Sequence, residues 1–181
     1  RNVAQNIADL KAQVAANTCG VAALQKLIDQ SGLETVEAYM KFIRENASYC
    51  VKKEIDKLKN GSFELKLDNQ AIIKVAITVD RRKSEALVDF TGTSKQLEDS
   101  NFNAPCSITR AAVLYVFRTL VDDQIPLNEG CLEPIKIIIP EGSILNPVYP
   151  RAVVAGQVEK NHTGGGGFFV GPRVQCRRLG T

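Results

Sequence analysis

The sequence predicts an α+β fold: N-terminal helices followed by a mostly antiparallel sheet with a long packed helix. Three observations carry this expectation. Apolar residues recur at three- and four-residue spacing from Ile7 to Leu58. Three short segments of alternating or β-branched character then follow one another, with turn residues between them. A further helical pattern over 107–121 leads into one more apolar run, 135–139.

Ile7, Leu10 and Val14 predict a helix over 2–17, with Cys19-Gly20 as its stop. Leu24, Leu27 and Ile28 predict a second helix over 21–30, ended by Ser31-Gly32. The third and longest, 33–58, carries Val36, Met40, Ile43, Ala47, Val51, Ile55 and Leu58 as a continuous stripe that is expected to be buried. Lys41, Glu45, Lys52 and Asp56 solvate its other face, so this helix is expected to serve packing or a subunit surface rather than chemistry.

Phe63, Leu65 and Leu67 alternate as a strand over 62–67, and Asp68-Asn69-Gln70 turns the chain. Ile72, Ile73, Val75, Ile77 and Val79 make 71–79 a second strand. The basic tip Arg81-Arg82-Lys83 precedes a third, 85–90, and the short turns imply an antiparallel meander. In the helix over 107–121 the apolar face is Ile108, Ala111, Ala112, Tyr115, Val116 and Leu120. Arg110 and Arg118 share a face there, either as solvated cations or as a grip for a carboxylate or phosphate. Asp122-Asp123 end the helix, and two adjacent exposed acids are not expected to hold a metal. Residues 126–133 read as a loop, and Pro140-Glu-Gly142 ends the last strand.

Composition narrows the function classes. Hydrophobic content of 44% and charged content of 24% are those of a globular domain. No run of eighteen apolar residues occurs, so no membrane span is expected. The first residues alternate polar and apolar, unlike a signal peptide. Of the net charge of +3, the excess lies in the tail, where Arg151, Lys160, Arg173, Arg177 and Arg178 face Glu159 alone. The remaining body is close to neutral, which argues against a nucleic-acid footprint. Cys19, Cys50, Cys106, Cys131 and Cys176 are too far apart for a zinc knuckle, and with His162 the only histidine no Cys/His ligand set exists. Free thiols in a cytoplasmic protein are the expectation.

The stretch joining the third strand to the helix is rich in short polar side chains: Asp89, Thr91, Gly92, Thr93, Ser94, Gln96, Asn101 and Asn103. Such residues suit a well-bonded surface loop, and equally a place where main chain approaches a ligand. Asp89-Phe-Thr-Gly-Thr-Ser-Lys-Gln96 followed by Asn101-Phe-Asn-Ala-Pro105 resembles the signature of the hydantoinase B/oxoprolinase family. Three more phrases agree in order. Asp9-Leu-Lys-Ala12-Gln13-Val-Ala-Ala16 is similar to a helix phrase of the family, and Pro126-Leu-Asn-Glu-Gly130 with Pro134-Ile135 is similar to another. Pro140-Glu-Gly-Ser-Ile-Leu-Asn-Pro147 with Arg151-Ala-Val-Val-Ala-Gly156 is the third. The resemblance covers about residues 1–158 and is nearest the 5-oxoprolinase branch; at the hairpin, Asn69-Gln70 replaces a DG-type turn.

The resemblance implies ATP-coupled opening of a cyclic amide, either 5-oxo-L-proline to L-glutamate or a hydantoin to its carbamoyl acid. ATP and Mg would be held by an A-type ATP-hydrolysing subunit or domain, with none bound by this chain alone, which agrees with the lack of a P-loop. Asp89 and Ser94 are the implied catalytic residues, Asp89 as a general base or a cap of the loop. Backbone N–H groups of Gly92, Thr93 and Ser94 are expected to form an oxyanion site. Gln96, Asn101 and Asn103 are expected to orient substrate amides, and Asp9 and Gln13 to line the substrate side.

Family members are several times longer, and the chain starts at Arg1, so it reads as an internal or C-terminal fragment, with a first part over 1–158. Residues 159–181, with four consecutive glycines, depart from the family's Ala/Gly-rich helix and are expected to reflect a slipped reading frame; His162 is therefore no catalytic candidate. The competing reading is a catalytically inactive remnant, or an assembly module that binds the A-type partner through the 33–58 helix.

Overall fold

The computed structural model describes residues 2–153. The boundary expected at 158, the Gly-rich tail, His162 and Cys176 lie outside them. The chain divides into two units after Ile43.

The N-terminal unit is built on α1 (Val3–Ser31) and the first turns of α2 (Leu33–Lys57). α1 corrects the expectation of two helices broken at Cys19-Gly20. Gly20 sits in the helix interior, where it costs roughly 1 kcal/mol against alanine but removes no backbone bond. The helix begins at Asn2, whose side chain accepts from the Gln5 N–H at 3.2 Å, and ends where Gly32 adopts φ +82°. No residue of α1 is buried.

The second unit holds the rest of α2 and a four-stranded sheet, β1 (Gly61–Lys66), β2 (Ile72–Asp80), β3 (Glu85–Asp89) and β4 (Ile135–Ile138), in that spatial order. β1, β2 and β3 form the expected antiparallel meander. Glu64 stands opposite Lys74 in register, and their side chains meet at 2.9 Å. Gln70 supplies the turn's positive φ of 67° in place of glycine, while Asn69 accepts from the Ala71 N–H. β4 lies parallel to β3, reached through α3 (Cys106–Leu120) and a short 3-10 turn, Glu129–Leu132. Four residues of the segment read as a loop over 126–133 thus form a helical turn.

One core gathers the alternate residues of the sheet, Val75, Ala86, Val88 and Ile135, with Ala47, Val51 and Ile55 of α2 and Val113, Val116 and Phe117 of α3. The stripe expected along α2 is buried at Val36, Ala47, Val51 and Ile55, but Met40 and Ile43 are 55% and 44% exposed. In α3 the buried face is Thr109, Val113, Val116 and Phe117, whereas Tyr115 and Ala111 are exposed. The face is rotated from the expected one because Thr109 turns inward, its hydroxyl donating to the Leu145 carbonyl at 3.2 Å. Arg118 does not offer an anion grip. Its guanidinium donates to the carbonyls of Ile125 and Val121, closing the C-terminal turn of α3.

Gly130 explains the Asn-x-Gly phrase. Asn128 accepts from the Gly130 N–H at 2.8 Å, and a Cβ on Gly130 would collide with the Arg44 carbonyl of α2. The turn therefore approaches the α2 backbone as only glycine allows.

Candidate active site

The candidate loop leaves β3 at Asp89 and enters α3 after Pro105. Its first turn is set by Asp89, whose Oδ1 accepts from the Thr91 N–H at 2.8 Å, and by Gly92 at φ +90°. Beyond the end of β3, the side of β2 that faced it would lose its partners. Thr93 and Ser94 replace them. Thr93 Oγ1 accepts from the Lys74 N–H and donates to the Lys74 carbonyl, at 3.1 and 3.2 Å. Ser94 Oγ accepts from the Ile72 N–H at 2.8 Å, and the Ser94 N–H donates to the Ile72 carbonyl at 2.8 Å. Hydroxyls thus stand in for strand backbone.

The loop is then fastened to residues 140–152. Gln96 donates its N–H to the Gly142 carbonyl, and its Oε1 accepts from the Val148 N–H, each at 2.8 Å. The Ile144 N–H donates to the Ser94 carbonyl, and the Ala104 N–H to the Ile144 carbonyl. Asn103, fully buried, accepts from the Leu97 N–H and donates to the carbonyls of Leu97, Ser100 and Ala152. Arg151 reaches Glu98 at 2.7 Å. Two of the family-like phrases, 89–105 and 140–153, are in this way one structural object.

This geometry sorts the expected site residues. Thr93, Gln96 and Asn103 hold the loop with their side chains, so the expectation that Gln96 and Asn103 orient substrate amides gives way for the atoms already bonded. The oxyanion set is also reduced, because the N–H groups of Thr93 and Ser94 are bonded to Phe90 and Ile72. The Gly92 N–H, the second oxygen of Asp89, the hydroxyl hydrogen of Ser94 and the exposed amide of Asn101 have no protein partner among the described residues. Asp9 and Gln13 lie exposed on α1, Asp9 accepting from Gln5 Nε2 at 2.8 Å.

Ser143 and Thr109 escaped sequence reasoning. Both are buried, Ser143 Oγ accepting from the Leu145 N–H and Thr109 donating to the Leu145 carbonyl. The available signal was Thr109 standing four residues before Val113 on the helix. Among the described residues no three His, Cys, Asp or Glu side chains converge as metal ligands, and no helix is long and apolar enough to cross a membrane.

Residues 1–164 match the family model described as hydantoinase B/oxoprolinase. The chain is 41% identical to 5-oxoprolinase 1 of Arabidopsis thaliana, a match covering 87% of this chain and 14% of that protein. It is 43% identical to the 5-oxoprolinase of Saccharomyces cerevisiae, covering 87% of this chain and 13% of that one. It therefore spans about one seventh of the length of these relatives. The structure resembles an ATP-dependent caprolactamase from Pseudomonas jessenii with a TM-score of 0.69 at 19% identity, over 99% of this chain and 31% of that one, a likeness of fold.

Proposed function

The chain belongs to the hydantoinase B/oxoprolinase family, and on that premise we propose that it is a segment of the B-type half of an ATP-dependent cyclic amide hydrolase acting on 5-oxo-L-proline. The observation that carries this reading is the fastening of the family-like loop by its own side chains, which leaves a small set of polar groups uncommitted.

The physical demand of the reaction is clear. A lactam carbonyl is resonance-stabilised and a poor electrophile, and transfer of a phosphoryl group from ATP to its oxygen makes the ring carbon attackable by water. The ring C–N bond then breaks and nitrogen gains a proton, leaving an acyl phosphate, and a second water hydrolyses that acyl phosphate to glutamate and phosphate. We place Mg and ATP on the A-type partner. In the present chain, the free oxygen of Asp89 takes the water proton, and the Gly92 N–H and Ser94 O–H donate to the oxygen on which negative charge develops. Asn101 offers its amide to the substrate. Asp9 and Gln13 rest on the family phrase alone and carry no step. A cytoplasmic setting belongs to the same proposal and is supported by the buried free thiols of Cys50 and Cys131.

The test is ATP-dependent glutamate formation from 5-oxoproline by this chain, alone and mixed with the A-type partner. Glutamate in the mixture only is the expected result. No glutamate from a folded chain in either case rejects it in favour of the second reading, a remnant or assembly module. That reading has its own observation: Leu33, Tyr39, Met40, Phe42 and Ile43 of α2 are exposed and suited to a partner protein.

A further inference from the structure

Gly92 and Thr93 of the signature loop close on a residue outside it, Lys74 of β2. Thr93 Oγ1 bonds both main-chain groups of Lys74. The Lys74 stem crosses Gly92, its Cδ 3.1 Å from where a Cβ would stand, so glycine lets the side chain pass. Its ammonium is held by Glu64 of β1 at 2.9 Å. An exposed lysine ordinarily keeps the rotamer freedom of its four-carbon stem, yet Lys74 is held at main chain, stem and head. The ion pair does not account for this. Both of its side chains are about half exposed, 46% and 51%, and such pairs add little stability.

Lys74 shares a sheet face with Asp89. Ala76, two residues on in β2, is in register with Asp89, while the neighbouring Val75 and Val88 face the core. The groups assigned to the substrate are Asp89, the Gly92 N–H, the Ser94 O–H and the Asn101 amide, a set with one negative charge and no positive one. 5-Oxo-L-proline carries a carboxylate, ionised at neutral pH, which Asp89 alone would repel. Resting on the hydrolase reading of this loop, we infer that the Lys74 ammonium binds that carboxylate and so selects carboxylated lactams over neutral ones. The ammonium has three N–H donors: Glu64 takes one and fixes the head, leaving two for the ligand oxygens. Lys95, the loop's own cation, is exposed and without a partner among the described residues, so nothing aims it.

The experiment is direct binding to the full chain, followed by NMR with lysine carbon-labelled at Cε, and it needs no turnover. The Lys74 Cε resonance of the unaltered chain is expected to shift on titration with L-5-oxoproline. It is expected to stay in place with 2-pyrrolidone, the same ring without the carboxylate. Lys74→Gln leaves the main-chain bonds to Thr93 intact and is expected to weaken 5-oxoproline binding about tenfold, with 2-pyrrolidone binding unchanged. Lys74→Arg keeps the charge and restores most of the affinity, and Lys95→Gln changes it less than about twofold. A Lys74 resonance indifferent to 5-oxoproline, equal weakening toward both lactams, or an equal loss in Lys95→Gln overturns the assignment. So does a response to inorganic phosphate without one to 5-oxoproline, which moves Lys74 to the phosphoryl oxygens. The two readings fail separately. Selective binding with no glutamate from the mixture with the A-type partner rejects the hydrolase reading alone, and glutamate formed with an indifferent Lys74 rejects this assignment alone.

Discussion

The side-chain amide of Asn103 donates to the carbonyl of Ala152 at 3.0 Å, tying the end of the signature loop to a residue 49 positions on. Asn103 is fully buried, and both of its polar atoms are used, Oδ1 by the Leu97 N–H and Nδ2 by three carbonyls. Asn103→Ala leaves those groups unmatched in a place water does not reach. At ~1–3 kcal/mol for a buried group left unsatisfied, the expected loss is about 2–4 kcal/mol in denaturant unfolding. Asn103→Asp keeps the acceptor but turns a carboxylate toward three carbonyls, so it is expected to cost at least as much as alanine. An Asn103→Ala chain with parental stability contradicts the tie.

Gly130→Ala tests the second close approach. Its new methyl group meets the Arg44 carbonyl and the Asn128 side chain. The first is main chain inside α2 and cannot rotate away, so the turn or the helix must shift, at a cost of about 1–3 kcal/mol or more. Gly142→Ala is the contrast: it has open space but φ +72°, and pays only for conformation, roughly 1 kcal/mol. Equal melting temperatures for the two variants contradict the steric account.

These two residues show what the sequence makes legible. Periodicity located α2, the meander and α3, because burial of one face is a local property written at fixed spacing. It did not show which helical residues end up covered: Met40 and Ile43 continue the stripe of Val36 and Ala47 but lie exposed. Thr109 is polar and stands outside the apolar pattern of α3, although its bond to the Leu145 carbonyl makes it an inward residue. Within the loop, short polar side chains marked a bonded segment. Whether each bond is spent on scaffold depends on distant partners such as Ile72, Val148 and Ala152, which no local pattern encodes. Gly20 misled for the opposite reason, since a local breaker was overruled by a long helix.

Gly20→Ala follows from that correction. The residue is mid-helix with nothing within 4 Å of a Cβ placed on it. Alanine there removes the backbone-entropy cost of glycine without strain, and α1 is expected to gain about 0.5–1 kcal/mol. The measurement is helicity at 222 nm against temperature. A drop in helicity restores the two-helix reading.

Lys57, in the last turn of α2, has its pKa raised above the ordinary lysine value. The largest cause is its hydrogen bond to Glu54 at 2.7 Å, with partial desolvation opposing and the charges of Glu54 and Asp122 adding. A group with a raised folded-state pKa stabilises fully below its unfolded pKa and loses that contribution as pH rises through the folded value. The window is therefore alkaline. Glu54→Gln is expected to move the Lys57 titration, followed by NMR at its side chain, downward and to flatten the alkaline limb of the stability curve. An unchanged Lys57 titration in that variant removes Glu54 as the cause.

Ser94 and Thr93 separate scaffold from chemistry. Thr93→Val loses two bonds to Lys74, but both are solvent-exposed and water can replace them, so the expected cost is about 0.5–1 kcal/mol. Ser94→Ala loses one, to the part-buried Ile72 N–H, and is expected to cost more, about 1–2 kcal/mol. In a complete 5-oxoprolinase the two substitutions diverge further. Thr93 has its hydroxyl committed to Lys74, so its valine variant is expected to retain turnover once folded. In the proposed mechanism Ser94 keeps a donor hydrogen for the reacting oxygen, and loss of one such donor is expected to cost ~10²–10³ in kcat. Asp89→Asn retains the amide-side acceptor for Thr91 but not the proposed base, and is expected on that mechanism to lose ~10²–10⁴. Turnover of Ser94→Ala that falls only as far as its folded fraction would leave the hydroxyl as a strand surrogate, with catalysis resting on Asp89 and the Gly92 N–H alone.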